Sequence, residues 1–217
     1  MLKQPEYRYV YLLLYWIVYL AMFQLIEHLV VSDYKILHCE LDNYIPFNEF
    51  FVVPYLYWFI FMGSFVVYTL FNDRDCFVYY MKMIIIISIS ACIIYVVWPN
   101  GLNLRPESFT RNNIFTKAVS IIYSFDTPVN VCPSLHVSGT LVTLMASRKC
   151  QKFDTVPWKI YFVFCSIAIC LSTVFLKQHS VIDVFWGMVQ ALVADALINI
   201  NKLKITNKKY KAIKKLL

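Results

Sequence analysis

The sequence predicts an all-α membrane protein, a six-helix transmembrane bundle with both termini in the cytoplasm, on three observations. Sixty per cent of the 217 residues are hydrophobic and 15% are charged, with a mean hydropathy of +0.60, a balance that excludes a water-soluble globule. The apolar residues gather into runs of roughly 15–22, near the length that crosses a ~30 Å hydrocarbon core as a helix. Four glycines and eight prolines leave no low-complexity linker. The expected organisation is one membrane domain, residues 1–201, followed by a basic cytoplasmic tail, residues 202–217.

The first run, Val10 to Val31, follows Lys3 and Arg8 and exceeds the roughly 7–15-residue core of a cleavable signal, so it is expected to stay as span 1. A polar stretch from Ser32 to Asn48 leads to span 2, Phe50 to Phe71, and Asn72 to Lys82 leads to span 3, Met83 to Trp98. Pro99, Asn100 and Gly101 stop that helix. The loop that follows holds Ile114 to Phe125, expected to lie along the interface. Span 4, Ser134 to Arg148, is short for a crossing unless its first turn sits in a protein-lined cavity. Span 5 covers Ile160 to Leu176, and span 6 covers Ser180 to Asn199.

Basic residues set the orientation. With both termini inside, fifteen lysines and arginines fall on the cytoplasmic side and five, Lys35, Arg105, Arg111, Lys117 and Lys177, on the other. Seven of the fifteen are the lysines of the last 16 residues, a juxtamembrane cluster that suits anionic lipid headgroups rather than nucleic acid. The same count puts the loop after span 3, the start of span 4 and the junction of spans 5 and 6 on the outer face. Cys39 and Cys132 are then expected outside, and Cys76 and Cys150 inside. The seven cysteines form no CxxC pair, which argues against a zinc framework.

Chemistry-bearing residues collect on that outer face. His179 and Asp183 are one helical turn apart, so the carboxylate can hold one imidazole nitrogen and leave the other free as a nucleophile or base. His136 opens span 4 beside Ser134, where a helix start offers unpaired amides to a phosphate. Arg105 can grip phosphate oxygens in a fork, and Lys177 adds a cation. Taken singly, each has a plainer use: a polar pair between helices, an N-cap, a headgroup contact, a snorkelling lysine.

Arg105-Pro106, Pro133-Ser134-Leu135-His136 and His179-x-x-x-Asp183-Val184-x-x-Gly187, in this order, resemble the three signature motifs of the type 2 phosphatidic acid phosphatase (PAP2) superfamily. The superfamily includes inositol phosphorylceramide synthases and related lipid phosphotransferases. The resemblance covers Trp98 to Gly187 by motif and the whole chain by helix count, with active-site segments at 98–137 and 172–187. It implies a PAP2-like bundle in which His179 attacks phosphorus, Asp183 orients it and His136 protonates the leaving alcohol. Arg105 and Ser134 would hold the phosphoryl oxygens, with no metal or cofactor.

The chain departs from the family pattern at three places. Trp98 stands where the first motif has a lysine, and Thr173 stands where the third has an arginine after Ser172. Lys177 is the candidate replacement. Leu135 replaces a glycine common in hydrolytic members, and Pro-Ser-Leu-His is similar to the inositol phosphorylceramide synthase form. Leu41-Asp42-Asn43-Tyr44-Ile45-Pro46-Phe47 and Phe51-Val52-Val53-Pro54-Tyr55 resemble that branch too. Fewer cations favour a phosphodiester or diphosphate of a lipid, with either water or an alcohol as acceptor.

The sequence-level expectation is therefore a lipid phosphatase or head-group phosphotransferase with an extracytoplasmic site. Its lysine- and isoleucine-rich composition suits a multi-pass protein of a bacterial plasma membrane. The alternative is a non-catalytic lipid-binding or transport protein with a degenerate site. A haem or metal centre on His28, His136 and His179 is disfavoured, because Arg105 and Lys177 would crowd a cation.

Overall fold

The computed structural model describes the backbone of residues 5–29 and 34–214 and the side chains of 7–27 and 34–200. The chain is all-helical. A 3-10 segment, Pro5–Leu13, runs into α1 (Leu14–Leu29), and then come α2 (Glu40–Tyr44), α3 (Val52–Asn72), α4 (Arg74–Val97), α5 (Ile114–Phe125), α6 (Leu135–Ser147), α7 (Val156–Phe175) and α8 (Val181–Lys214). Two-residue strands β1 (Lys35–Ile36) and β2 (Asn100–Gly101) pair in parallel.

Among the described residues, five segments are long and apolar enough to cross a membrane: Tyr7–Glu27, Glu49–Asn72, Arg74–Val97, Val156–Phe175 and Val181–Ile200. Their outward residues, such as Ile17, Phe59, Ile93, Phe164 and Leu192, are large, apolar and exposed, as lipid-facing surfaces are. The sixth expected span, α6, has 13 residues and so extends only about 20 Å. It packs against α3, α4, α7 and α8. A helix enclosed by its neighbours need not match the bilayer, and small residues bring those neighbours close. Gly139 lies against Met62 and Trp58, while Ala146 and Val142 are fully buried. Hydroxyls along α6 bond back to its own carbonyls: Thr140 to His136 at 2.6 Å, Thr143 to Gly139 at 2.9 Å and Ser147 to Leu144 at 2.8 Å.

The two largest boundary differences from the sequence expectation lie at the start of α4 and the end of α8. The charged stretch Asn72 to Lys82, expected to be a connection, is almost entirely helical, because Asp73 alone makes the turn. Its amide donates to Thr69 O at 2.9 Å, closing α3, and its carboxylate accepts from Cys76 N at 3.0 Å, capping α4. Arg74, Asp75 and Lys82 face outward while Cys76, Phe77, Tyr80 and Met81 face the core, so helical periodicity accommodates the charge. At the other end α8 continues through the lysine tail to Lys214. The side chains of that tail, with the lipid-headgroup contact expected of them, and of His28 lie outside the described residues.

Candidate functional site

The start of α6 is fastened to the start of α8. Ser134 N donates to Asp183 O at 3.1 Å, and the Ser134 hydroxyl caps α6 by accepting from Val137 N at 3.4 Å. Gly187, one turn farther along α8, crosses directly over this point: a Cβ there would lie 2.7 Å from Ser134 O and 3.1 Å from Val137 Cβ. The glycine of the third motif thus has a packing reason, since it lets two helix starts meet.

The junction gathers four of the six sequence-predicted residues. The His136 and His179 rings are 5.7 Å apart, centroid to centroid. His179 Nδ1 lies 3.4 Å from Asp183 Oδ2, within ion-pair reach but not aligned as a hydrogen bond. The reason is local: Oδ2 already accepts from Ser180 N at 2.8 Å, and the Ser180 hydroxyl accepts from Ile182 N at 3.2 Å, so Ser180 and Asp183 cap α8. Asp183 Oδ1 and His136 Nε2 are buried with no partner, as groups awaiting a ligand would be. His136 sits between the rings of Tyr55 and Trp58 at 4.6 and 4.5 Å, which fixes its plane.

Arg105 reaches the site through Gln178. Its guanidinium donates to Tyr123 O at 3.2 Å, to Asp126 O at 2.6 Å and to Gln178 Oε1 at 2.5 Å, and it lies over the Tyr123 ring. Burial depresses its pKa, and Asp126 opposes that shift. Nε is buried and unpartnered. The Asp126 carboxylate accepts from Tyr55 at 2.9 Å and from Gln178 at 3.3 Å, which links the arginine to the ring packed against His136.

Lys177 is placed differently. Its backbone is left-handed (φ 55°), and its ammonium donates to the carbonyl of Asp42 at 2.7 Å. Burial lowers its pKa, and the Asp42 carboxylate raises it. Thr173, where the resembled motif has an arginine, is fully buried; its hydroxyl bonds Cys170 O at 2.8 Å, and its carbonyl accepts from both Gln178 N and His179 N. Trp98, where the resembled motif has a lysine, lines a groove of about 370 Å³ between α4 and α8. Cys132 and Pro133 also line it, and Ile94, Trp186, Val189 and Val193 make it apolar.

Three contributors were not singled out from sequence as site residues. Asp42, 2% exposed, accepts from Val181 N at 2.9 Å, from the Ser180 hydroxyl at 2.6 Å and from Cys39 N at 2.8 Å, clamping the α8 start. Asn100, beyond stopping α4, organises the loop before Ser134: its amide oxygen accepts from Val131 N and Cys132 N at 3.0 and 2.8 Å, and its nitrogen donates to Cys132 O at 3.0 Å. Cys132 is buried beside Asp183, and burial first, then that carboxylate, pushes its thiol up to about 12. The signal for Asp42 was a carboxylate in the stretch that resembles the synthase branch; a lone Asn or Cys carries none.

No family model, no curated protein and no solved structure matches the chain.

Proposed function

We propose that this chain is an integral membrane enzyme that cleaves a phosphoester or diphosphate of a lipid through a phosphohistidine, as a phosphatase or a head-group phosphotransferase. The observation that supports it best is the pairing of His136 with His179 at 5.7 Å, with Asp183 at 3.4 Å from His179 Nδ1. In this reading His179 Nε2 attacks phosphorus and the bond to the leaving oxygen breaks. His136 gives that oxygen its proton, and Asp183 stabilises the cationic ring. Water or an alcohol then loses a proton to His136 and displaces the phosphoryl group from His179. In the same reading the amides of the α6 start and Arg105 hold the equatorial oxygens, where developing charge is stabilised. The apolar groove lined by Cys132 and Pro133 suits a lipid chain. The resemblance and the bias of basic residues support a site on the extracytoplasmic face, and the lysine- and isoleucine-rich composition supports a bacterial plasma membrane.

One observation favours the second reading, a lipid-binding or transport protein without catalysis. Arg105 is already bonded to three protein acceptors, while Trp98 and Thr173 supply no cation. Purified protein incubated with lipid phosphomonoesters, diesters and diphosphates separates the two, with phosphate release, new lipid formation and acid-labile labelling of histidine followed together. The enzyme reading expects turnover of at least one class and label on His179. Binding without turnover or label supports the second reading and overturns the first.

A further inference from the structure

At the far end of α6, about 20 Å along the helix from the histidine pair, the fold assembles a second cluster. Asp73, which turns α3 into α4, Cys76 in the first turn of α4, and Cys150, in the connection between α6 and α7, place one carboxylate oxygen and two sulfurs within 4.8 Å of one another. Both cysteines are buried, at 3% and 1% exposure, while Asp73 is half-buried and keeps a path to solvent. Cys76 and Cys150 belong to the main core with Phe77, Ala146 and Phe153, so the backbone on both sides is held by packing.

We propose that Asp73, Cys76 and Cys150 bind one thiophilic divalent cation of the zinc class. The donor set selects such an ion: two thiolates suit a borderline-soft metal and exclude magnesium or calcium, which take oxygen ligands. Metal–sulfur bonds of about 2.3 Å at tetrahedral angles put two ligand sulfurs about 3.8 Å apart. A group already within 4.8 Å therefore reaches ligation distance by small side-chain rotations. Three protein ligands leave a fourth position, on the open Asp73 side, for water. Without metal the Cys76 thiol donates to the Ala146 carbonyl oxygen at 3.4 Å. Binding exchanges the two thiol protons for the cation and releases them to solvent, so affinity falls as pH falls. Two thiolates, one carboxylate and a dication sum to one negative charge, and Lys149, adjacent to Cys150, supplies a compensating ammonium. The consequence is mechanical: the ion ties the α3–α4 turn to the α6–α7 connection and braces the end of the bundle that anchors α6. Sequence spacing gives no hint of this, because Cys76 and Cys150 are far apart in the chain and are joined only by folding.

The test uses full-length protein in detergent, free of any polyhistidine tag, stripped with a chelator and then given zinc alone. Elemental analysis after desalting is expected to find about one zinc per chain, and the unfolding midpoint is expected to rise by about 3 °C or more. Both effects are lost in Cys76→Ser with Cys150→Ser. They persist in Cys165→Ser and in His136→Ala with His179→Ala, which separates this site from the histidine pair. No bound zinc and no shift in the unsubstituted protein overturns the proposal whether or not the variants fold. So does zinc retained at full stoichiometry by the double cysteine variant.

Discussion

Gly187 passes so close to Ser134 that a methyl group at 187 would stand 2.7 Å from the Ser134 carbonyl oxygen. That oxygen is backbone at a helix start and cannot swing away, so the helices must separate. Gly187→Ala is expected to cost about 1–3 kcal/mol of stability by overpacking and to reduce turnover at least tenfold by drawing His179 from His136. Gly63→Ala is the internal control. Position 63 in α3 meets nothing within 4 Å, so its methyl is expected to leave thermal unfolding in detergent unchanged or raise its midpoint. Equal effects of the two substitutions would contradict the close-approach argument.

His136 is caged by Tyr55 and Trp58, and its Nε2 has no protein partner. If that nitrogen protonates the leaving oxygen, His136→Ala should lose about 10²- to 10⁴-fold on a glycerolipid substrate. An aryl phosphate, whose leaving group needs little protonation, should lose far less. His179→Ala should abolish turnover of both, because the covalent step itself is gone. Steady-state kinetics on the two substrates read the difference, and equal losses for His136→Ala would remove its role as an acid.

Asp42 and Lys177 divide two roles that sequence alone merges. The Asp42 carboxylate satisfies the amides of Cys39 and Val181 and the hydroxyl of Ser180, so Asp42→Ala leaves buried donors unpaired and should cost about 1–3 kcal/mol. Lys177→Met removes one bond to the Asp42 carbonyl and should cost less. Thermal unfolding ranks them. A Lys177→Met protein of unchanged stability whose kcat/KM falls more than tenfold would instead assign its ammonium to the phosphate.

Much of this architecture was legible because membrane helices announce themselves by length and composition. Residues 74–82 escaped that reading because charge in a window lowers its hydropathy, although Arg74, Asp75 and Lys82 all occupy the outward face. His179 with Asp183 was legible from i, i+4 spacing, and His136 from its position at a helix start. Asp42 was not, since its bonds to Ser180 and Val181 span almost 140 residues, and no local pattern encodes such a contact. Cys132 was expected on the outer face, but it is 2% exposed within the loop that Asn100 organises.

That burial changes how the orientation must be tested. Cys76, Cys132 and Cys150 are all buried, so silence from a thiol reagent says nothing about their side. Asn112 and Lys152 are exposed, the first in the loop before α5 and the second between α6 and α7. With Cys39 replaced by serine, an impermeant thiol reagent on intact cells should label Asn112→Cys and not Lys152→Cys. The opposite pattern would invert the chain and move the histidine pair to the cytoplasmic face.

Arg105 is either a strut or a phosphate clamp. As a strut it holds Tyr123 O, Asp126 O and Gln178 Oε1 together, and Arg105→Gln should destabilise the protein by leaving those acceptors unpaired. As a clamp it also uses the buried, unpartnered Nε–H, a donor that a lysine cannot replace in direction or number. Vanadate, which takes the geometry of a phosphoryl group in transfer, separates the roles. In the unsubstituted protein a ligand at one hundred times its Kd adds about 2.7 kcal/mol, a measurable rise in the unfolding midpoint. Arg105→Lys keeps the charge and part of the strut, so a clamp predicts a nearly normal midpoint without vanadate and at least a tenfold weaker vanadate effect. If Arg105→Lys responds to vanadate like the unsubstituted protein, the guanidinium is a strut alone. The phosphate would then be held by the amides of the α6 start and the histidine pair.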